Sequence, residues 1–144
     1  DRPYLAGDGA AFGGTPEEYQ RDYIEQLLYI NQQVQIAVND ILSQSSQPPI
    51  ILIQGDHGPG SLLSRDSLEQ TCLFERTSIL SAYLLPEGAS LSPDLTPVNS
   101  FRVVLNTVFD AQLPLLANET YFSPQSWPYD FTPVSSQIET SCEK

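Results

Sequence analysis

The residues best suited to do chemistry are Asp56 and His57, within the stretch IILIQGDHGPGS at residues 50–61. His57 is the chain's one histidine, and it stands beside a carboxylate, between glycines, just past an apolar run. A carboxylate oxygen and an imidazole nitrogen together suit a divalent ion such as Zn²⁺ or Mn²⁺, and a carboxylate also suits Ca²⁺ or Mg²⁺. Adjacent side chains on a strand point to opposite faces, but a glycine-flanked turn is free of that rule. Gly55, Gly58 and Gly60 permit backbone angles that bring both groups toward one ion. Two readings stand at this point: a glycine-rich turn that happens to hold a histidine, or half of a metal site. Arg65 and Arg76 follow the motif and are candidates to contact an anionic substrate, bidentately if so positioned; the alternative for each is surface ion pairing. Ser61 and Ser64 have no second histidine to serve as general base, which argues against a serine-hydrolase triad.

The elements that must position these groups are legible around them. The run at residues 50–54 is apolar and β-branched without alternation, the pattern of a strand covered on both faces, as in a parallel sheet. Asp56 and His57 then fall at its carboxyl end, in a loop at residues 55–60, where ligands of an open α/β sheet gather. Before it, residues 15–45 read as a long helix. Thr15 can cap it, Pro16 suits its first position and Glu18 completes a capping box. Tyr23, Leu27, Ile30, Val34, Ala37 and Ile41 draw one apolar stripe, and Pro48-Pro49 lies beyond the end. After the loop come a second strand at residues 78–85, stopped by Pro86, and a helix at residues 96–110 opened by Thr96-Pro97. Within that helix Arg102 is expected to pair with a nearby acid. Residues 111–144 are rich in Pro, Ser and aromatics and read as a covering segment, with Trp127, Tyr129 and Phe131 either packing it onto the core or lining a substrate mouth. The order helix, strand, strand, helix indicates an α/β sheet.

Bulk composition narrows the partners. One domain, or a piece of one, accounts for 144 residues, and 40 % hydrophobic residues suffice for a core. A net charge of −12, from 6 basic and 18 acidic residues, argues against nucleic acid as a general partner. No stretch approaches the roughly 18 apolar residues of a membrane helix, and residues 1–10 lack the basic start and apolar core of a signal peptide. Cys72 and Cys142 fit no zinc spacing; a disulfide and two free thiols both remain open. Asn118-Glu119-Thr120 fits the glycosylation sequon, which is either an acceptor site or a chance match.

ILIQGDHGPG resembles the strand-plus-Asp-His-Gly segment of the sulfatase and alkaline-phosphatase-like hydrolase superfamily. The likeness extends over nearly all of the chain: the long preceding helix, ERTSILSAYLLPEG with its strand ending near a proline, the helix LTPVNSFRVVLNTVF, and the tail LLANETYFSPQSWPYDFTPV, which is similar to the end of bacterial sulfatase-like proteins. The resemblance implies an α/β fold, part of a three-layer sandwich with a mostly parallel central sheet. It implies that Asp56 and His57 ligate a catalytic divalent metal. The metal would activate a hydroxyl nucleophile for attack on a phosphate or sulfate ester, through a covalent intermediate that water resolves. His57 must be neutral to ligate, so metal affinity falls on acidification.

The chain departs from the family pattern in what it lacks. The nucleophile and an upstream acidic ligand belong to the amino-terminal half of such a domain, and a further histidine commonly precedes the long helix. DRPYLAGDG looks like sequence just downstream of that histidine. The chain therefore reads as the carboxyl-terminal portion of a catalytic domain, inactive alone and partnered by the missing amino-terminal half. Family members often act outside the cytoplasm, some anchored through upstream segments. Two other functions fit the same residues: a noncatalytic α/β domain kept for binding or structure, and a transferase that passes the group to a lipid or sugar acceptor.

Overall fold

A computed structural model describes residues 12–89, 91–92, 95–138 and 141–142. The DRPYLAGDG segment lies outside the described residues. Helix α1 runs Pro16–Gln44. The Thr15 hydroxyl accepts from the Glu18 amide at 3.3 Å while the Glu18 carboxylate accepts from the Thr15 amide at 2.9 Å. This reciprocal pair satisfies two of the amides that a helix start leaves without partners. Strand β1, Ile51–Gln54, pairs with β2, Ser81–Leu84, and the five-residue helix α2, Leu73–Thr77, lies between them in sequence. Helix α3 spans Pro97–Phe109, and the short strands β3, Tyr121–Phe122, and β4, Thr132–Pro133, pair in the tail.

β1 and β2 are antiparallel, with Ile51 opposite Leu84 and Gln54 opposite Ser81. This differs from the parallel pairing suggested by the unbroken apolar run, and the connection explains why. A parallel crossover must carry the chain back along the full strand, usually on a helix of a dozen or more residues. At five residues α2 rises only about 7.5 Å. The segment between the strands folds back on itself, and the Gly55 amide donates to the Leu80 carbonyl at 2.9 Å, extending the ladder by one rung. Residues 55–80 are thus an elaborated hairpin loop. Among the described residues both sheets are two-stranded and antiparallel.

Polar groups hold α3 in place. Gln54 Nε2 donates to the hydroxyls of Ser81, Tyr83 and Ser100, joining both strands to the first turn of α3. Thr96 occupies the N-cap position, but its hydroxyl donates to Asn118 Oδ1 at 2.9 Å rather than capping the helix. From α3 the tail is gripped by side-chain amides. Asn99 donates to the Leu116 carbonyl and accepts from the Leu116 amide, each at 2.9 Å. Two turns on, Asn106 donates to the Leu113 carbonyl at 2.8 Å and accepts from its amide at 2.7 Å. Between them Arg102 donates to the Pro114 carbonyl at 2.9 Å, not to an acid. Seven helical residues rise about 10.5 Å and three extended residues cover about 10 Å, so the two clamps share one spacing.

The apolar core is small. Among the described residues the buried apolar side chains are Tyr19, Cys72, Val104 and Val134. Of the α1 stripe Leu27, Ile30 and Ile41 are exposed, and so are the neighbouring Ile24, Leu28 and Ile36. The chain presents 10330 Å² of accessible surface, against roughly 7,400 Å² for a compact monomer of 15.9 kDa. Tyr129 and Trp127 are 89 % and 71 % exposed, so these aromatics do not pack the tail onto the core. Among the described residues no helix is long and apolar enough to cross a membrane.

The Asn99 clamp makes a stability prediction. Asn99→Ala removes a buried side chain with both of its part-buried hydrogen bonds to Leu116 and lowers the unfolding free energy by about 1–3 kcal/mol. Urea denaturation checks this, and a loss below about 0.5 kcal/mol would show that the tail is not held through Asn99.

Candidate functional site: the Asp56–His57 loop

The loop that follows β1 is fixed from three sides. From α1, the buried Tyr19 hydroxyl accepts from the Gly60 amide at 3.0 Å. From α2, the Glu75 carboxylate accepts from the Ser61 amide at 3.3 Å, from the Leu62 amide at 2.9 Å and from the Ser61 hydroxyl. At the carboxyl end of α2, the Gly58 amide donates to the Arg76 carbonyl at 2.7 Å and Arg76 Nη1 donates back to the Gly58 carbonyl at 3.0 Å. The main chain at Gly58 presses so close to this turn that a Cβ there would stand 2.0 Å from the Glu75 carbonyl oxygen and 2.6 Å from that of Ser78. Only glycine fits. α2 is itself tethered: Cys72, its N-cap, accepts from the Glu75 amide through Sγ and is disulfide-bonded to Cys142. Closing a loop across 70 residues restricts the unfolded chain by about 4 kcal/mol.

What the loop holds out is the Asp-His pair. The Asp56 side chain is 88 % exposed and that of His57 44 %. Asp56 Oδ1 accepts from the His57 amide at 3.0 Å, which orients the carboxylate. His57 Nδ1 lies 3.0 Å from the Gly58 carbonyl oxygen. A carbonyl can only accept, so Nδ1 carries the proton, and in the neutral ring Nε2 is then a bare acceptor. Nε2 faces Asp56 Oδ2 at 3.4 Å. Two acceptors do not face one another at that distance without a proton or a cation between them. Two donors each about 2.0–2.2 Å from a tetrahedral ion stand about 3.3–3.4 Å apart. A protonated ring donating from Nε2 to Asp56 would account for this approach as an ion pair, and a divalent ion shared by the two groups would account for it equally. Among the described residues no group of three His, Cys, Asp or Glu side chains could hold a metal ion.

The pair opens onto a cleft of about 330 Å³ bounded by Tyr19, Tyr23, Gln26, Leu27 and Ile30 of α1 and by Gly58. The α1 residues lie on one helical face, and the rings of Tyr19 and Tyr23 stack with centroids 6.0 Å apart. Gln26 and Tyr19 were not singled out by sequence reasoning. A glutamine within an apolar face is the signal that could have found the first, for its Nε2 is buried without a hydrogen-bond partner.

Arg65 and Arg76 are brought together, but into a different cleft. With Leu63, Tyr121, Phe122, Ser123 and Gln125 they line a cavity of about 320 Å³. Arg65 Nη1 donates to Gln125 Oε1 at 3.3 Å and the Arg65 carbonyl accepts from the Gln125 amide at 2.9 Å, docking the tail beside the loop. Tyr121 donates its hydroxyl proton to Glu119, and that bond, with the carboxylate's charge, holds the phenol above its ordinary range.

No family model matches the chain, and comparison with curated proteins and with solved structures returned no match.

Gly55 and Gly58 separate the constraint on the loop by position. A Cβ at Gly55 would meet its neighbours at 3.6 Å or more, an ordinary contact. Gly55→Ala is therefore expected to fold with stability unchanged within about 1 kcal/mol, while Gly58→Ala loses about 2–3 kcal/mol or more to overpacking. Parallel chemical denaturation of the two variants checks the contrast, and equal stability would mean that the close approach at Gly58 is not real.

Proposed function

We propose that this chain supplies the Asp-His edge of the metal site in a hydrolase of the sulfatase and alkaline-phosphatase-like superfamily, acting on a phosphate or sulfate ester. The observation that carries the reading is the 3.4 Å approach of His57 Nε2 to Asp56 Oδ2, with Nδ1 committed to the Gly58 carbonyl. Supporting it is the order of elements around the loop: long helix, strand, Asp-His-Gly, strand, and a Thr-Pro-opened helix. In this reading the complete domain is an α/β sandwich with a mostly parallel central sheet, and β1 and β2 form its antiparallel portion. A bound divalent ion would neutralise charge on the ester and acidify a nucleophile. Asp56 and His57 would hold it, and the grip of Tyr19, Glu75 and Arg76 on the loop keeps both groups at a fixed spacing. The remaining ligands and the nucleophile come from residues beyond those described. Arg65, in the neighbouring cleft, is the candidate contact for an anionic group of the substrate. Transfer to a second acceptor in place of water would use the same residues.

A second reading is favoured by one observation, the exposed apolar stripe of α1. A noncatalytic binding or structural domain would use that face to dock a partner and would leave Asp56 and His57 as a turn.

Metal binding separates the two. Elemental analysis and calorimetry with Zn²⁺ and Mn²⁺ on the complete domain, which carries the remaining ligands, are expected to show about one equivalent bound, with Asp56→Ala and His57→Ala each weakening affinity at least about 100-fold, since each removes one of the donors. Equal binding by all three proteins, or none by a folded wild type, would overturn the metal reading in favour of the docking domain.

A further inference from the structure

We infer that Arg76 is a positioning residue for His57, acting through the carbonyl oxygen of Gly58. That oxygen receives two donors: His57 Nδ1 at 3.0 Å and Arg76 Nη1 at 3.0 Å. Its direction decides where the imidazole can point, because the ring is held only while its Nδ1–H has an acceptor there. Pro59 biases Gly58 toward extended ψ, but hydrogen bonding from the main chain does little to fix that direction. Gly58 has no Cβ to limit its own rotation. The following residue is Pro59, so the peptide unit joining them has no N–H. Its carbonyl is the unit's only hydrogen-bonding handle. The Gly58 amide is fixed on the Arg76 carbonyl at 2.7 Å, but that bond constrains the preceding peptide unit, not this one. The guanidinium of Arg76 is what reaches the second unit. The same residue thus fixes the loop twice, by its main chain on one side of the Gly58 Cα and by its side chain on the other.

The consequence is electronic as well as geometric. With the Gly58 carbonyl held in place, the neutral ring keeps its proton on Nδ1 and turns the bare Nε2 toward Asp56 Oδ2. Without the guanidinium the carbonyl can swing away, the Nδ1 proton loses its partner, and both tautomers and several ring rotations become accessible. For a ligand edge this is a loss of preorganisation: removal of an outer-shell partner of a liganding histidine typically weakens metal affinity about 10–100-fold. The importance of this orientation for metal binding rests on the function proposed above; the orientation itself does not.

The chain's single histidine makes the test direct, since the imidazole resonances need no assignment. Long-range ¹H–¹⁵N spectra of the metal-free protein in alkaline buffer read the tautomer of the neutral ring. The wild type is expected to be the Nδ1–H form. Arg76→Met keeps the side-chain stem and the main-chain bond but removes the donors; it is expected to give a mixture of tautomers and an approximately 10–100-fold weaker Zn²⁺ affinity. Arg76→Lys restores one donor and is expected to recover the Nδ1–H form at least in part. Amide spectra that superimpose away from residues 55–62 and 72–78 certify that each variant folds. A wild-type ring in the Nε2–H form, or an Arg76→Met ring that stays wholly in the Nδ1–H form, would overturn the inference. If the tautomer responds as expected while the wild type binds no metal, the positioning role stands and the metal reading alone falls.

Discussion

The structure depends on the closeness with which the main chain at Gly58 approaches the carboxyl end of α2. The loop cannot stand off at the distance any side chain would impose. Because it sits so near, one amide and one carbonyl of Gly58 both reach Arg76, and Ser61 and Leu62 come within range of Glu75. The loop is held by hydrogen bonds from a helix of five residues, which has little cooperative strength of its own. That helix borrows its stability from the Cys72–Cys142 bond at its N-cap and from the hairpin ladder that continues through Gly55. The exposed Asp56 and His57 are thus the tip of a loop whose base is over-determined.

Much of the local structure could be read in the chain because it is written in short-range chemistry. Thr15-Pro16 with Glu18 specifies a helix start whatever lies around it. The strand before Asp56 and the glycine-rich loop after it follow from composition in the same way. What escaped was set by long-range contact. The direction of β2 relative to β1 turned on the brevity of α2, and the run of Ile and Leu says nothing about that. Arg102 was matched to an acid because charge seeks charge, yet an extended carbonyl lay closer than any carboxylate. Thr96 has the cap residue's identity but finds Asn118 instead. The disulfide lay open because two cysteines 70 residues apart carry no local signal. At the site, Asp56 and His57 were visible as residue types. The roles of Gly58, Arg76 and Tyr19 were not, since each acts on a group remote in sequence.

The distribution of apolar surface is a second organising fact. Polar contacts join α3 to the sheet and the tail to α3, and the fully buried side chains include Asn99 and Ser100 beside Val134. Meanwhile α1 turns Leu27 and Ile30 toward the Asp56–His57 cleft and leaves neighbouring apolar residues to solvent. A cover for that face would exclude water from the cleft as well. Lowering the dielectric around Asp56 and His57 would strengthen any charge interaction there.

The paired clamps of Asn99 and Asn106 have an evolutionary corollary. They work because a helical rise and an extended-chain rise happen to agree over seven residues of one and three of the other. Inserting or deleting a single residue between Leu113 and Leu116 would leave at most one asparagine facing its peptide. Length is therefore frozen at that point of the tail. The segment from Trp127 to Phe131, whose aromatic side chains largely face solvent, lies beyond the anchored Gln125 and Ser126 and is where related chains should differ in length.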